Sequence, residues 1–95
     1  MSANIDSLFK SFSSSNLELV NRIAMAPMTR EFSPDGVANA EVAAYYRRRA
    51  EGGTGLIITE GTTVNDPVAT MGPNVPRIHG EEALAGWTLA IDEVH

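Results

Sequence analysis

Two short apolar runs of this sequence each end in small or polar residues that could contact a ligand. In the first, residues 21–30 (NRIAMAPMTR), Pro27 interrupts the apolar run and the hydroxyl of Thr29 follows. Proline has no backbone N–H to donate to a sheet, so strand pairing stops there and the backbone is free to face a ligand. The second run, residues 56–60 (LIITE), leads into Gly61, where a missing Cβ lets a ligand approach the backbone closely.

A helical pattern lies between the two runs. Asn39 is a good N-cap, and Gly52 and Gly53 provide a stop, so we predict a helix between them. Apolar residues recur there at three- and four-residue spacing, which gives the helix one stripe that can pack on a sheet. Strand, helix and strand in this order predict a right-handed crossover between parallel strands, with both strand ends on one side of the sheet.

Two further elements flank this unit. Residues 10–12 and 17–19 are predicted to pair as a hairpin around a turn at residues 13–16. A second helix is predicted from Glu81 to about Val94, on the spacing of its apolar residues Leu84, Trp87, Ile91 and Val94, with Trp87 expected in the core. No Gly or Pro stops this helix before His95, so we expect the chain to end inside a repeating βα architecture.

Composition excludes several classes of function. A net charge of −5 and a pI near 4.8 disfavour nucleic-acid and anionic-membrane partners, so the Arg47–Arg49 run is interpreted as a solvated helix face and not as a phosphate site. The absence of cysteine excludes disulfides and thiolate metal sites, and we predict no metal. Without a signal-like segment or an apolar run of eighteen residues, the expected location is the cytoplasm.

Three motifs carry a resemblance to a known family. LFKSFSSSNLELVNRIAMAPMTR, EVAAYYRRRAEGGTGLIITEGTTV and IHGEEALAGW follow one another in an order that resembles the amino-terminal part of the old yellow enzymes, which are FMN-dependent ene-reductases. The resemblance covers nearly all 95 residues. It implies an α/β fold, in which this chain supplies an amino-terminal hairpin and the first two βα units of a TIM (β/α)8 barrel. Such a barrel needs about 250 residues, so residues 1–95 form one part of it, without an internal domain boundary.

The resemblance also implies a cofactor site at the carboxyl-terminal mouth of the barrel. Backbone groups around Ala26, Pro27 and Met28 would line the flavin between its dimethylbenzene ring and N5. The Thr29 hydroxyl would hydrogen-bond the flavin near O4 and N5, and the Gly61 amide would approach a ring carbonyl. These five residues are the predicted FMN-binding residues.

The resemblance assigns no catalytic residue to this chain. The His/Asn pair that binds the substrate carbonyl in the family, and the proton-donating tyrosine, would lie beyond it. Tyr45 and Tyr46 are placed on a helix outside the barrel and away from the mouth, and Glu60 is expected to be structural or to pair with an arginine. The loop at residues 62–80 is expected at the mouth, where residues 68–71 and Ile78 would border the substrate.

The predicted activity is hydride transfer from NAD(P)H through FMN to the activated C=C bond of an α,β-unsaturated carbonyl compound. The predicted partners are a complementary chain or segment with the rest of the barrel and a small enone substrate. Two alternatives stay open. One is a related FMN barrel, such as a dienoyl-CoA reductase relative, and the other is a non-catalytic truncated fragment that acts only as an interaction partner.

Overall fold

The computed structural model describes residues 5–69 and 72–95. The regular structure of these described residues consists of four short strands, two α-helices and two short 3-10 helices, the latter at Asp6–Phe9 and Pro34–Gly36. In chain order the main elements are β1 (Phe12–Ser14), β2 (Leu17–Leu19), β3 (Ala24–Met25), α1 (Ala40–Glu51), β4 (Leu56–Ile57) and α2 (Glu81–Val94). None of the described helices is long and apolar enough to cross a membrane.

The amino-terminal hairpin forms as predicted, but its first strand lies further along the chain. β1 and β2 pair antiparallel, with Phe12 opposite Leu19 and Ser14 opposite Leu17. The predicted strand at residues 10–12 is therefore wrong in its position, because Lys10 is the C-cap of the preceding 3-10 helix. Two of the serines assigned to the turn belong to β1, so the turn shortens to two residues.

β3 and β4 confirm the parallel strand pair. Ala24 lies opposite Leu56 and Met25 opposite Ile57. Both strands are shorter than the apolar runs that predicted them, since pairing ends at Met25 on one side and Ile57 on the other. One more backbone hydrogen bond, from Ile58 N–H to the Met25 carbonyl at 3.2 Å, closes the pair just before the proline segment.

Helix α1 connects these strands, with the predicted boundaries. The side-chain oxygen of Asn39 accepts a hydrogen bond from Val42 N–H at 3.1 Å, which satisfies one of the free N–H groups of the first turn. Gly52 caps the other end, and Gly53 continues with φ of +104°, a conformation that favours glycine. The buried residues of the helix are Val42, Ala43 and Tyr46.

The core lies between α1 and α2. Its buried members are Ala38, Val42, Ala43, Tyr46, Trp87 and Ala90. Trp87 is in the core as predicted, and its indole N–H donates to the Arg77 carbonyl at 3.1 Å. Leu84 and Ile91 were expected on the same stripe, but they remain 48% and 57% exposed. The inward face of α2 instead carries the small residues Ala83 and Ala90 beside the tryptophan, which lets the two helices approach closely.

The arginine run of α1 also departs from the prediction. Arg48 is exposed, but Arg47 is only half-exposed and its guanidinium lies 3.0 Å from the Glu93 carboxylate on α2. A second carboxylate, that of Glu51, lies 3.5 Å away one turn along α1. Arg47 therefore helps to join the two helices and does not simply face the solvent.

Candidate functional site

The first strand-end segment consists of Ala26, Pro27, Met28 and Thr29, directly after β3. All four residues are exposed, and the Met28 side chain retains 51% of its accessible surface. Within the described residues, no hydrogen bond occupies the backbone groups of this segment. An apolar surface, free backbone groups and one hydroxyl thus lie together at the end of a strand.

Gly61 lies four residues beyond the end of the neighbouring strand, β4. Because Met25 pairs with Ile57, Thr29 (25 + 4) and Gly61 (57 + 4) are each four residues beyond the last paired position, at the same edge of the sheet. Gly61 is half-buried. It is not one of the glycines with positive φ, which are Gly36, Gly53, Gly72 and Gly80, so its value to a ligand site would lie in close approach and not in an unusual backbone conformation.

Tyr46 contacts the residue that precedes Gly61. Its hydroxyl accepts a hydrogen bond from Glu60 N–H at 3.0 Å and donates one to Glu60 Oε2 at 2.7 Å. Both residues are buried, with 2% and 3% of their surfaces exposed. Burial of the hydroxyl, followed by its hydrogen bond to this carboxylate, raises the pKa of Tyr46 above its ordinary value, so the hydroxyl stays protonated and keeps donating.

This contact decides between the two roles expected for Glu60. The residue is buried and structural, and its described hydrogen-bond partner is a tyrosine hydroxyl and not an arginine. The helix that carries Tyr46 is expected outside the barrel and away from the mouth, but the Tyr46 hydroxyl reaches Glu60, three residues beyond the end of β4. The spacing of Tyr46 with Val42 and Ala43 on the buried stripe was the signal available in the sequence.

Tyr45 contacts the residue that follows Thr29. The guanidinium carbon of Arg30 lies 3.5 Å from the centre of the Tyr45 ring, and that of Arg49 lies 3.7 Å from the same centre. These are short cation–π distances. Arg30 also lies 5.2 Å from the centre of the Phe32 ring, and its buried Nε has no hydrogen-bond partner among the described residues.

A cleft of about 320 Å³ lies between the loop after β3 and the loop after β4. It is lined by Asp35, Thr63, Asp66, Arg77 and His79, among others. Of the predicted substrate-bordering residues that the structure describes, Val68, Ala69 and Ile78 do not line it, and Val68 is 90% exposed and Ile78 46% exposed. Thr70 and Met71 lie outside the described residues. Whether they border a substrate in the complete protein stays a prediction.

The two strand ends fit the requirements of a flavin ring. An isoalloxazine presents two apolar faces and a polar edge with hydrogen-bond donors and acceptors, so it needs a flat apolar contact and a few directed polar groups. Met28 offers the first, and the Thr29 hydroxyl with the free backbone groups offers the second. The residues beside these groups are contacted from α1: Tyr46 binds Glu60, which precedes Gly61, and Tyr45 lies against Arg30, which follows Thr29. The sequence did not predict a role in the site for Tyr45, Tyr46 or Arg30.

Comparison with known proteins gives the class to which this arrangement belongs. The sequence profile of the NADH:flavin oxidoreductase / NADH oxidase family matches residues 7–95. This chain belongs to that family. The motifs that carried the old yellow enzyme resemblance lie within the matched residues, and the family assignment made from them is confirmed.

Individual relatives cover nearly the whole chain. It is 38% identical over 88 residues to 12-oxophytodienoate reductase 7 of Oryza sativa subsp. japonica, across 93% of this chain and 22% of the relative. Chanoclavine-I aldehyde reductase fgaOx3 of Penicillium roqueforti is 37% identical, across 93% of this chain and 24% of the relative. The chain therefore spans between a fifth and a quarter of the length of the curated relatives that it matches.

Solved structures of the same family have the fold of this chain. Morphinone reductase in complex with tetrahydroNAD superposes with a TM-score of 0.83 at 37% identity, over 94% of this chain and 24% of that structure. Old Yellow Enzyme from Pichia sp. AKU4542 superposes with a TM-score of 0.83 at 34% identity, over 94% and 23%. The arrangement of β1 to α2 is thus that of a segment of the old yellow enzymes.

Proposed function

We propose that this chain is the amino-terminal part of an FMN-binding (β/α)8 barrel of the old yellow enzyme type, and that its two strand ends form part of the flavin cradle. The observation that carries the proposal is the parallel pairing of β3 and β4, which brings free backbone groups, the Thr29 hydroxyl and Gly61 to one edge. In α/β barrels, ligands bind at the carboxyl ends of the strands. Family membership supports the choice of a flavin as the ligand.

The chain's own residues hold and orient the cofactor. The backbone of Ala26, Pro27 and Met28 would pack along the flavin ring, the Thr29 hydroxyl would hydrogen-bond its polar edge, and the Gly61 amide would approach a ring carbonyl. The chemistry that FMN supplies when bound is hydride transfer from NAD(P)H to the activated C=C bond of an α,β-unsaturated carbonyl compound. The names of the matched relatives, which are reductases of an oxophytodienoate, of morphinone and of an aldehyde, support a carbonyl-containing substrate.

The remaining parts of the site come from outside this chain. We assign no catalytic residue here, and we place the substrate-binding pair and the proton donor on the six βα units that would complete the barrel. The buried Tyr46 does not serve as the proton donor, because its hydroxyl is engaged twice by Glu60 and its raised pKa makes it a weak acid.

Two measurements on the complete flavoprotein test this function. After removal of free cofactor, the visible absorption of the protein reports bound FMN, and NADPH or NADH oxidation in the presence and absence of 2-cyclohexenone reports alkene reduction. We expect a yellow protein whose pyridine-nucleotide oxidation, measured without oxygen, depends on the enone. The proposal would be contradicted by a complete protein that binds no flavin, or by one whose rate of NADPH or NADH oxidation does not depend on the enone.

A further inference from the structure

Adjacent tyrosines of α1 contact the residues that flank both predicted flavin contacts. Tyr46 binds Glu60, which directly precedes Gly61, and Tyr45 lies against Arg30, which directly follows Thr29. Successive residues of a helix point about 100° apart, so one pair of neighbours can reach two different strand ends. Helix α1 thereby touches both halves of the proposed cradle, one residue from each contact.

The Tyr46 contact fixes both the backbone and the side chain of Glu60. One hydroxyl accepts the Glu60 N–H at 3.0 Å and donates to the Glu60 carboxylate at 2.7 Å, so residue 60 cannot rotate without breaking a buried hydrogen bond. The Tyr46 ring is held in turn by Trp87 of α2, at 6.2 Å between ring centres. Helices α1 and α2 therefore set the direction in which the chain enters Gly61.

The Tyr45 contact holds the side chain of Arg30, next to the other strand end. Its ring lies 3.5 Å from the Arg30 guanidinium carbon, and it meets the Tyr46 ring edge-on at 5.1 Å between centres. Edge-to-face rings at this distance attract each other, so the two contacts share one rigid support. The strands alone provide little restraint, because each contributes only two paired residues.

We propose that Tyr45 and Tyr46 form a clamp that sets the separation of the two strand ends and so positions Thr29 and Gly61 to bind the flavin together. The proposal rests on the proposed function of the chain as part of an FMN cradle. The tyrosines are positioning residues and do not contact the cofactor. Their effect on binding follows from geometry, since displacing a directed contact by about 1 Å is enough to weaken a preorganised site.

The test is titration of the complete apo-flavoprotein with FMN, followed by FMN fluorescence. Tyr46→Phe keeps the ring but removes both hydrogen bonds to Glu60, so we expect the FMN dissociation constant to rise about tenfold, which corresponds to about 1.4 kcal/mol. We also expect a changed flavin reduction potential, because the surviving contacts no longer meet the ring in the same geometry. Thr88→Val is the matched control: it removes an exposed hydroxyl bonded to the Leu84 carbonyl at 3.0 Å, on α2, and should leave FMN binding unaltered.

Tyr45 provides a second, independent variant. Tyr45→Leu removes the ring beneath Arg30 and should raise the FMN dissociation constant several-fold. Tyr45→Phe returns an aromatic face to the same place and should restore the affinity. This pair also decides the proposal if Tyr46→Phe does not yield folded protein.

The outcomes separate the clamp from the proposed function. Wild-type protein that binds FMN, together with Tyr46→Phe or Tyr45→Leu protein of unaltered affinity and potential, would overturn the clamp alone. A lowered melting temperature of the apo-protein with unaltered FMN binding would also overturn it, because that result describes a purely structural role. Complete wild-type protein that binds no FMN would overturn the proposed function and the clamp with it.

Discussion

At the scale of single residues, the proposed cradle depends on backbone groups that form no hydrogen bond with the part of the chain that the structure describes. Pro27 cannot donate a hydrogen bond, and the chain around it leaves the sheet with the Thr29 hydroxyl exposed. The sequence predicted this feature directly, because the proline and the threonine are local signals. It did not predict the contacts of Tyr46 with Glu60 or of Tyr45 with Arg30, which join residues 14 or 15 positions apart through tertiary packing.

Replacement of Thr29 tests the polar part of the cradle. A hydrogen bond to the charged, reduced flavin contributes about 1.5–3 kcal/mol, so losing it in Thr29→Ala should lower the two-electron reduction potential by about 30–65 mV. Thr29→Ser keeps a hydroxyl and should retain most of the wild-type potential. Redox titration of the complete enzyme provides the measurement, and equal potentials for the alanine variant and the wild type would remove Thr29 from the site.

Replacement of Gly61 tests the close approach of the backbone. In Gly61→Val, a branched side chain occupies the space that the flavin carbonyl needs, so the FMN dissociation constant should rise at least tenfold, about 1.4 kcal/mol. Gly61→Ala should have a smaller effect in the same direction. The melting temperature of the apo-protein serves as the control for folding, and unaltered FMN affinity in a folded valine variant would show that Gly61 makes no contact.

At the scale of elements, helix α1 packs between the parallel strands β3 and β4 and helix α2. Its boundaries followed from the sequence, because the Asn39 cap and the Gly52 stop act locally. The strand lengths did not, since an apolar run such as residues 56–60 shows that a segment is buried but not where its pairing ends. The prediction for the inward face of α2 is half confirmed: Trp87 is in the core and Val94 packs against it, whereas Leu84 and Ile91 are exposed and the small residues Ala83 and Ala90 are buried in their place.

The packing of α2 can be tested at Gly86. A Cβ there would collide with the carbonyl oxygen of Ala38, just before α1, so Gly86→Ala should destabilise the protein by about 1–3 kcal/mol. Helix propensity alone predicts the opposite, an increase of about 1 kcal/mol in the free energy of unfolding. Ala85→Gly, at an exposed position beside Gly86, should lower the free energy of unfolding by only about 0.5–1 kcal/mol. Urea unfolding of the complete protein distinguishes these cases, and a stabilised Gly86→Ala variant would contradict the close approach.

The buried Tyr46 hydroxyl predicts a pH dependence of stability. Its pKa is raised in the folded state above the unfolded value of 10.0, so its contribution is fully present below about pH 10 and is lost as the pH rises further. The difference in melting temperature between wild type and Tyr46→Phe should therefore be constant from pH 6 to 9 and decrease above about pH 10. A difference that grows in alkaline solution would contradict the burial of this hydroxyl.

At the scale of the whole molecule, the described chain lacks the compactness of an independent domain. Its radius of gyration is 15.6 Å and its extents are 50 × 28 × 26 Å, whereas a compact chain of this length has a radius of about 12 Å. Its strands form two separate two-stranded sheets whose edges have no partner among the described residues. Several large apolar side chains are also exposed, including Phe9, Val20, Phe32 and Ile58.

These open edges predict that residues 1–95 do not bind flavin alone. Unpaired parallel strands and exposed apolar side chains favour association with other chains, so we expect the isolated polypeptide to aggregate or to remain poorly ordered. Supplying a polypeptide with the remaining six βα units should cover both edges and complete the cradle. A soluble, well-ordered 95-residue monomer by gel filtration and circular dichroism would contradict this prediction.

Visible absorption after gel filtration shows whether this chain forms part of an FMN cradle. The isolated chain, the polypeptide with the remaining βα units, and a mixture of the two are each incubated with FMN and separated from free cofactor. We expect each piece alone to elute colourless and the mixture to elute as a yellow complex that carries the visible absorption of bound flavin. Flavin that co-elutes with the 95-residue chain by itself, or a colourless assembled complex, would contradict the claim that this chain supplies only part of an FMN cradle.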